Sequence, residues 1–140
     1  MSNSNSTALD TWIKALSRKE VKKGTVLINR EGTAKKSPKC PNCGSWIQHW
    51  ETLSENGAPS AGNCAVVYCK GKTKDGKPAE IVGCHVMIKD DTDKKVYIAP
   101  LCACCNNKAD GTELELSENM ILVSANVQET CEKLAQEEEV

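Results

Sequence analysis

The stretch Y-I-A-P-L-C-A-C-C-N-N-K, residues 97–108, runs from an apolar strand pattern through Pro100-Leu101 into the cysteine pair Cys102–Cys105. Two thiolates at this spacing on a helix start can grip one tetrahedral metal ion, and a second pair must complete the shell. Two further pairs stand upstream: Cys64–Cys69 in C-A-V-V-Y-C, and Cys40–Cys43 in C-P-N-C-G. Between Cys69 and Cys102 the pattern is that of a β-hairpin. Glu80 to Ile88 reads as one strand, Lys95 to Ala99 as its partner, and the acidic D-D-T-D between them as the turn. That turn is not a calcium loop, because no glycine and no bidentate glutamate stand at the required offsets.

A cysteine turn, a hairpin, then a cysteine pair opening a helix is the order of a treble clef. The expected fold is therefore a small α+β, zinc-stabilised treble-clef domain with a β-hairpin and short helices. The knuckle would supply two thiolates and the first turn of the helix two more, a closed four-sulfur site with no position left for water or substrate, which is a structural and not a catalytic arrangement. Four thiolates favour zinc over magnesium, calcium or manganese; iron in a rubredoxin-like site stays open as an alternative. Cys40–Cys43 either replaces Cys64–Cys69 as the knuckle or seeds a second site completed from Cys84, Cys104, Cys131 or His49, so one or two zinc ions are expected. Cys104, adjacent to Cys105, is expected to be the spare thiol.

Composition points the same way. The chain has 140 residues, nine of them cysteine, with 4% aromatic residues and no phenylalanine. A core this thin usually needs a staple, either disulfide or metal. The first residues, M-S-N-S-N-S-T, are polar, and no apolar run is long enough to cross a bilayer. A cytoplasmic location is expected, where reduced thiols favour metal over disulfides. The alternative, a secreted disulfide scaffold, would leave at least one of nine thiols unpaired. The net charge of −1 hides an asymmetry: residues 11–40 carry nine Lys/Arg against Glu20 and Glu31, and residues 110–140 carry nine acids against Lys133. A basic N-terminal arm can track phosphates and an acidic tail can screen it, although two solvated tails of opposite sign would look the same.

The remaining segments divide the chain into a partly disordered basic arm over 1–39, a zinc domain over 40–125, and an acidic helix or tail over 126–140. Leu9, Trp12, Ile13, Leu16 and Val21 suit a short amphipathic helix ending before Gly24, followed by a strand over Thr25–Ile28. Ser45 can cap a helix whose apolar face holds Trp46, Ile47, Trp50 and Leu53, with Asn56-Gly57 as its stop. The two tryptophans are read as a core anchor ahead of a base-stacking platform. His49, one step off this face, is expected to be exposed or hydrogen-bonded, with capping of a metal site as the alternative. Met120–Val123 reads as a last strand, and Val127 to Glu139 as a terminal helix.

The runs C-A-V-V-Y-C, V-G-C-H-V and Y-I-A-P-L-C-A-C-C-N-N-K over residues 64–107 resemble the HNH and endonuclease VII superfamily. The chain is also similar to small bacterial zinc-finger proteins sharing C-G-S-W, G-x-H-V and P-L-C-x-x-C-N. The resemblance implies Cys64, Cys69, Cys102 and Cys105 as zinc ligands, His85 as a general base activating water, and Asn106 as a ligand or positioner of catalytic magnesium or manganese. The position beside His85, where active members carry an acid or a second histidine, is here Cys84, a poor ligand for a hard cation. The nuclease site thus reads as eroded on a retained scaffold. His85 has a second reading, packed by the hairpin and hydrogen-bonded to a backbone group near Cys105, and Asn106 could bond the cluster backbone.

Three functions are weighed. The first is a structural zinc-binding module that binds nucleic acid, through the basic arm, or a protein, without catalysis. The second is an HNH-type nuclease using His85 and Asn106. The third is a thiol-based redox or zinc sensor, with C-P-N-C resembling a thioredoxin-type pair at a helix start but lacking a βαβ pattern before it.

Overall fold

The structure, a computed structural model, describes residues 17–30, 44–92 and 94–126. Among these, six strands form one antiparallel sheet: β1 (Arg18–Val21), β2 (Val26–Asn29), β3 (Ile81–Ile88), β4 (Tyr97–Cys102), β5 (Glu113–Glu115) and β6 (Met120–Ser124), in the spatial order β1-β6-β4-β3-β2-β5. Two helices accompany it, α1 (Trp46–Ser54) and the single turn α2 (Ala103–Asn106). The α+β class with a β-hairpin and short helices is as expected. None of the described helices is long and apolar enough to cross a membrane.

The short β1–β2 link dictates the curl of the sheet. These strands lie four places apart, which in a flat sheet is about 19 Å. Only Lys22–Thr25 join them, and that link is folded into a turn by the Thr25 N–H donating to the Lys22 carbonyl at 3.0 Å. The sheet must bend until its ends approach. It does so: β5 and β6, also four places apart, are joined only by residues 116–119, and the Lys23 N–H of the β1–β2 link donates to Asn119 Oδ1 of that second link at 2.9 Å. The curl encloses the main core, to which every strand contributes, including Val21, Leu27, Val86, Leu101, Leu114 and Leu122.

β3 and β4 form the expected hairpin, in the register Ile81↔Cys102, Cys84↔Ala99 and Val86↔Tyr97. Side chains alternate along a strand, so Gly83 and His85 share the face opposite to Cys84 and Val86. α1 lies on that face. Trp50 and Leu53 pack with Ile98 and Val123 in a second, smaller cluster, and the Trp50 indole N–H donates to the Ile121 carbonyl at 2.8 Å. The anchor role read for this helix is confirmed. Its start is also as read: the Ser45 hydroxyl accepts from the Gln48 N–H at 3.3 Å. The Gln48 side chain reaches back to the Gly44 N–H at 2.6 Å, a shifted form of the capping box.

One local expectation is corrected. The helix predicted to run to Gly24 cannot include Arg18–Val21, which is β1, paired with β6 from Arg18↔Val123 to Val21↔Met120. A marginal helical pattern has lost to a ladder of backbone hydrogen bonds, and the charges of Arg18, Lys19 and Glu20 suit an edge strand. Residues 9–16 and 127–139, where further helix was read, lie outside the described residues. α1 stops one residue before Asn56-Gly57: Glu55 takes the left-handed cap at φ 60°, and its side chain accepts from Arg18 at 2.6 Å. β5, too short and too polar to register as a strand, completes the edge beside β2 through Leu27↔Leu114.

Candidate metal centre

Cys64, Cys69, Cys102 and Cys105 converge, with all four sulfur atoms within 4.8 Å of one another. The Cys64–Cys105 separation is 3.8 Å, Cys69–Cys105 3.7 Å and Cys69–Cys102 3.5 Å. A disulfide would require about 2.05 Å. A tetrahedral ion with metal–sulfur bonds of about 2.3 Å requires sulfur–sulfur edges of about 3.8 Å. The thiols therefore fit a tetrathiolate metal site and are too far apart to be bridged to one another. Among the described residues no other group of three or more His, Cys, Asp or Glu converges in this way.

Two elements deliver these ligands. Cys102 ends β4 as the N-cap of α2 and Cys105 lies within that turn, so the hairpin and the turn position both together. The α2 turn is tied back to the residue preceding β3 by the Ala103 N–H, which donates to the Glu80 carbonyl at 2.8 Å. Cys64 and Cys69 flank a tight knuckle, closed by the Cys69 N–H to the Val66 carbonyl at 3.0 Å. The knuckle is bonded to the curled edge through Val67 N–H to Glu115 and Ser117 N–H to Ala65, at 2.8 and 2.7 Å.

Backbone amides face the sulfurs: the Cys102 N–H donates to Cys64 Sγ at 3.5 Å and the Gly71 N–H to Cys69 Sγ at 3.4 Å. Sequence reasoning passed over Gly71. It sits at φ 66°, and a Cβ there would run into the Gly62 carbonyl, so only glycine can present its amide to the metal site. The glycine two residues after Cys69 was the available signal.

The thiols shift one another's ionisation. The hydrogen bond from Cys105 pulls the Cys64 thiol down to about 5, against burial, with the Cys102 and Val66 amides assisting. Its partner moves the other way: the bond to Cys64 and then burial push Cys105 strongly up. Burial raises Cys69 as well. Without a dication the four groups cannot all ionise at close range; binding one would displace the remaining protons.

The other residues singled out in the sequence lie elsewhere. Cys84 is fully buried on β3 and burial, followed by the charge of Cys64, pushes its thiol up to about 12; it belongs to the core. Cys104 is exposed, its Sγ donating to the Lys72 carbonyl at 3.3 Å, the spare thiol as read. Asn106 is the half-buried last residue of α2. Cys40, Cys43 and Cys131 lie outside the described residues.

His85 is 2% exposed, its ring edge-on to Trp46 at 4.6 Å between centroids. The expected hydrogen bond from its ring to a backbone group near Cys105 does not account for Nδ1, which has no partner among the described residues. Burial, then the neighbouring His49, pushes its pKa down to about 4. His49 is not at the surface either: it is fully buried, and its Nε2 donates to the Ser124 carbonyl at 2.9 Å. Both histidines are thus packed around Trp46, and neither belongs to the thiol cluster. Comparison with models of known protein families, with curated proteins and with solved structures finds no match to this chain.

Proposed function

We propose that this chain is a structural zinc-binding module that acts by binding a partner and not by catalysis. The observation that carries this reading is the sulfur–sulfur spacing of 3.5–3.8 Å between thiols drawn from the knuckle and from the β4–α2 corner. Four soft sulfur donors select zinc over hard cations and fill its tetrahedral shell, which suits a structural ion. Zinc would supply a cross-link between segments some 40 residues apart, together with the charge needed to keep four thiolates side by side. Structural zinc is worth about 10–16 kcal/mol in finger peptides, as much as the whole stability of a typical domain, about 5–15 kcal/mol. The order knuckle, hairpin, helical turn supports a treble-clef description of this part of the chain.

The burial of His85 beneath Trp46 supports the non-catalytic reading. A general base must reach the water it activates, and a ring this enclosed is held neutral as a packing group. The test is native mass spectrometry of the intact and the acid-denatured chain. One zinc with reduced thiols is the expected minimum, and a second would assign a site to Cys40–Cys43. An absence of metal, or disulfides among these four cysteines, would overturn the reading. Magnesium- or manganese-dependent plasmid nicking that disappears in His85→Ala would replace it with the nuclease.

A further inference from the structure

Tyr68 stands at the tip of the knuckle, 98% exposed, and among the described residues it is the one large apolar side chain so open to solvent. Its backbone has φ 67°, a left-handed conformation that aromatic residues rarely adopt. The exposure is built into the turn. The Cys69 N–H closes on Val66, and Cys69 Sγ is held by the Gly71 amide and the thiol cluster, so the turn that aims Cys64 and Cys69 inward leaves Tyr68 pointing out.

The chain that follows is lysine-rich. Lys70, Lys72, Lys74 and Lys77 are all exposed, against Asp75 and Glu80, and none of the four is in an ion pair among the described residues. They ride on a fixed loop. Lys72 bridges Pro78, the Thr73 N–H donates to the Lys77 carbonyl at 2.8 Å, and the Ala79 N–H donates to the Gly71 carbonyl at 2.7 Å. The close Gly62–Gly71 contact seats this loop beside the metal site.

We propose that this knuckle face binds single-stranded nucleic acid, with an unpaired base stacked on Tyr68 and phosphates contacted by Lys70, Lys72, Lys74 and Lys77. An exposed ring beside a cluster of lysines is the combination that recognises single strands: the ring meets a base face and the ammonium groups follow the backbone. A duplex covers its base faces by stacking, so it would leave the ring idle. An acidic peptide would satisfy the lysines but offers nothing to the ring. The proposal names the partner of the binding module and rests on that reading, because the turn that leaves Tyr68 outside is the one that aims Cys64 and Cys69 at the thiol cluster.

The test is fluorescence anisotropy of the zinc-loaded full chain with a labelled single-stranded DNA of about twelve nucleotides, within the usual site size. The matching duplex and a polyglutamate peptide serve as competitors, and zinc is counted by native mass spectrometry for every variant. Tyr68→Ala is expected to weaken binding about fivefold to a hundredfold, the range seen for a lost stacking partner, while Tyr68→Phe retains it. Changing the four lysines to glutamine should reduce the slope of log affinity against log salt by about 3, from about 0.7 per phosphate on a single strand. Tyr68→Ala that keeps its zinc and its affinity overturns the proposal, as does equal or better competition by the duplex or by polyglutamate. A wild type that holds zinc but ignores the oligonucleotide sinks this surface alone; a wild type without zinc sinks the metal reading whatever the oligonucleotide does.

Discussion

Replacing Gly83 with alanine probes how closely α1 sits on β3. A Cβ at this position would lie 2.6 Å from the Trp46 carbonyl carbon, and 2.7 Å from both the Ile47 nitrogen and the Trp46 Cβ. Two of those atoms are backbone and cannot rotate aside. Ordinary contact begins at 3.4 Å, so the first turn of the helix must retreat by 3.4 − 2.6, about 0.8 Å. A gap of that size already forfeits a quarter to a half of the dispersion attraction along the opened surface. The surface in question is the contact of Trp46 with His85 and of Trp50 and Leu53 with Ile98 and Val123. Overpacking usually costs about 1–3 kcal/mol. With backbone as the obstacle we expect the upper half of that range, about 2–3 kcal/mol. At a urea slope of about 1–3 kcal/mol per molar for a small protein, the midpoint should fall by about 0.7–3 M. The assay is urea unfolding of the zinc-loaded chain followed by tryptophan fluorescence. Gly57→Ala is the control, because a Cβ there meets nothing within 4 Å; it should stay within about 0.5 kcal/mol of wild type. Equal midpoints for Gly83→Ala and Gly57→Ala would refute the argument that α1 rests directly on this glycine.

The other expectations concern the histidine and the thiols. Burial holds His85 near 4 in the folded chain, against about 6.5 unfolded. The unfolded state therefore takes up its proton first, and stability that is complete above about pH 6.5 is lost as pH falls toward 4, by about 2–3 kcal/mol from this group. The zinc thiolates lose stability in the same direction, so the measurement is the difference between wild type and His85→Gln; parallel stability–pH curves would contradict it. Cys105→Ser should bind one zinc fewer in native mass spectrometry while Cys104→Ser keeps the full count, since only the first belongs to the four-sulfur group. Equal zinc counts in the two variants would break the ligand assignment.

What was legible in the sequence was local. The spacing of Cys64–Cys69 and Cys102–Cys105 around an alternating hairpin, and the Ser45 cap before Trp46, each depend on residues only a few positions apart. Chain stiffness and hydrogen-bond reach act at that range, so these signals carried through to the structure. Arg18–Val21 shows where they end: its helical spacing was real but weak, and the partner that turned it into a strand, Met120–Val123, is about a hundred residues away. Likewise His49 gives no local sign of burial; the contact of α1 with the sheet and the Ser124 carbonyl decide it. Gly71 and Gly83 read as ordinary glycines until the tertiary structure brings backbone against them. Sequence alone therefore determined which thiols were available and in what order the elements that present them follow. The tertiary structure decided which thiols meet, which histidines lose access to water, and which aromatic ring is left outside, because burial and strand pairing are set by neighbours that are distant in the chain.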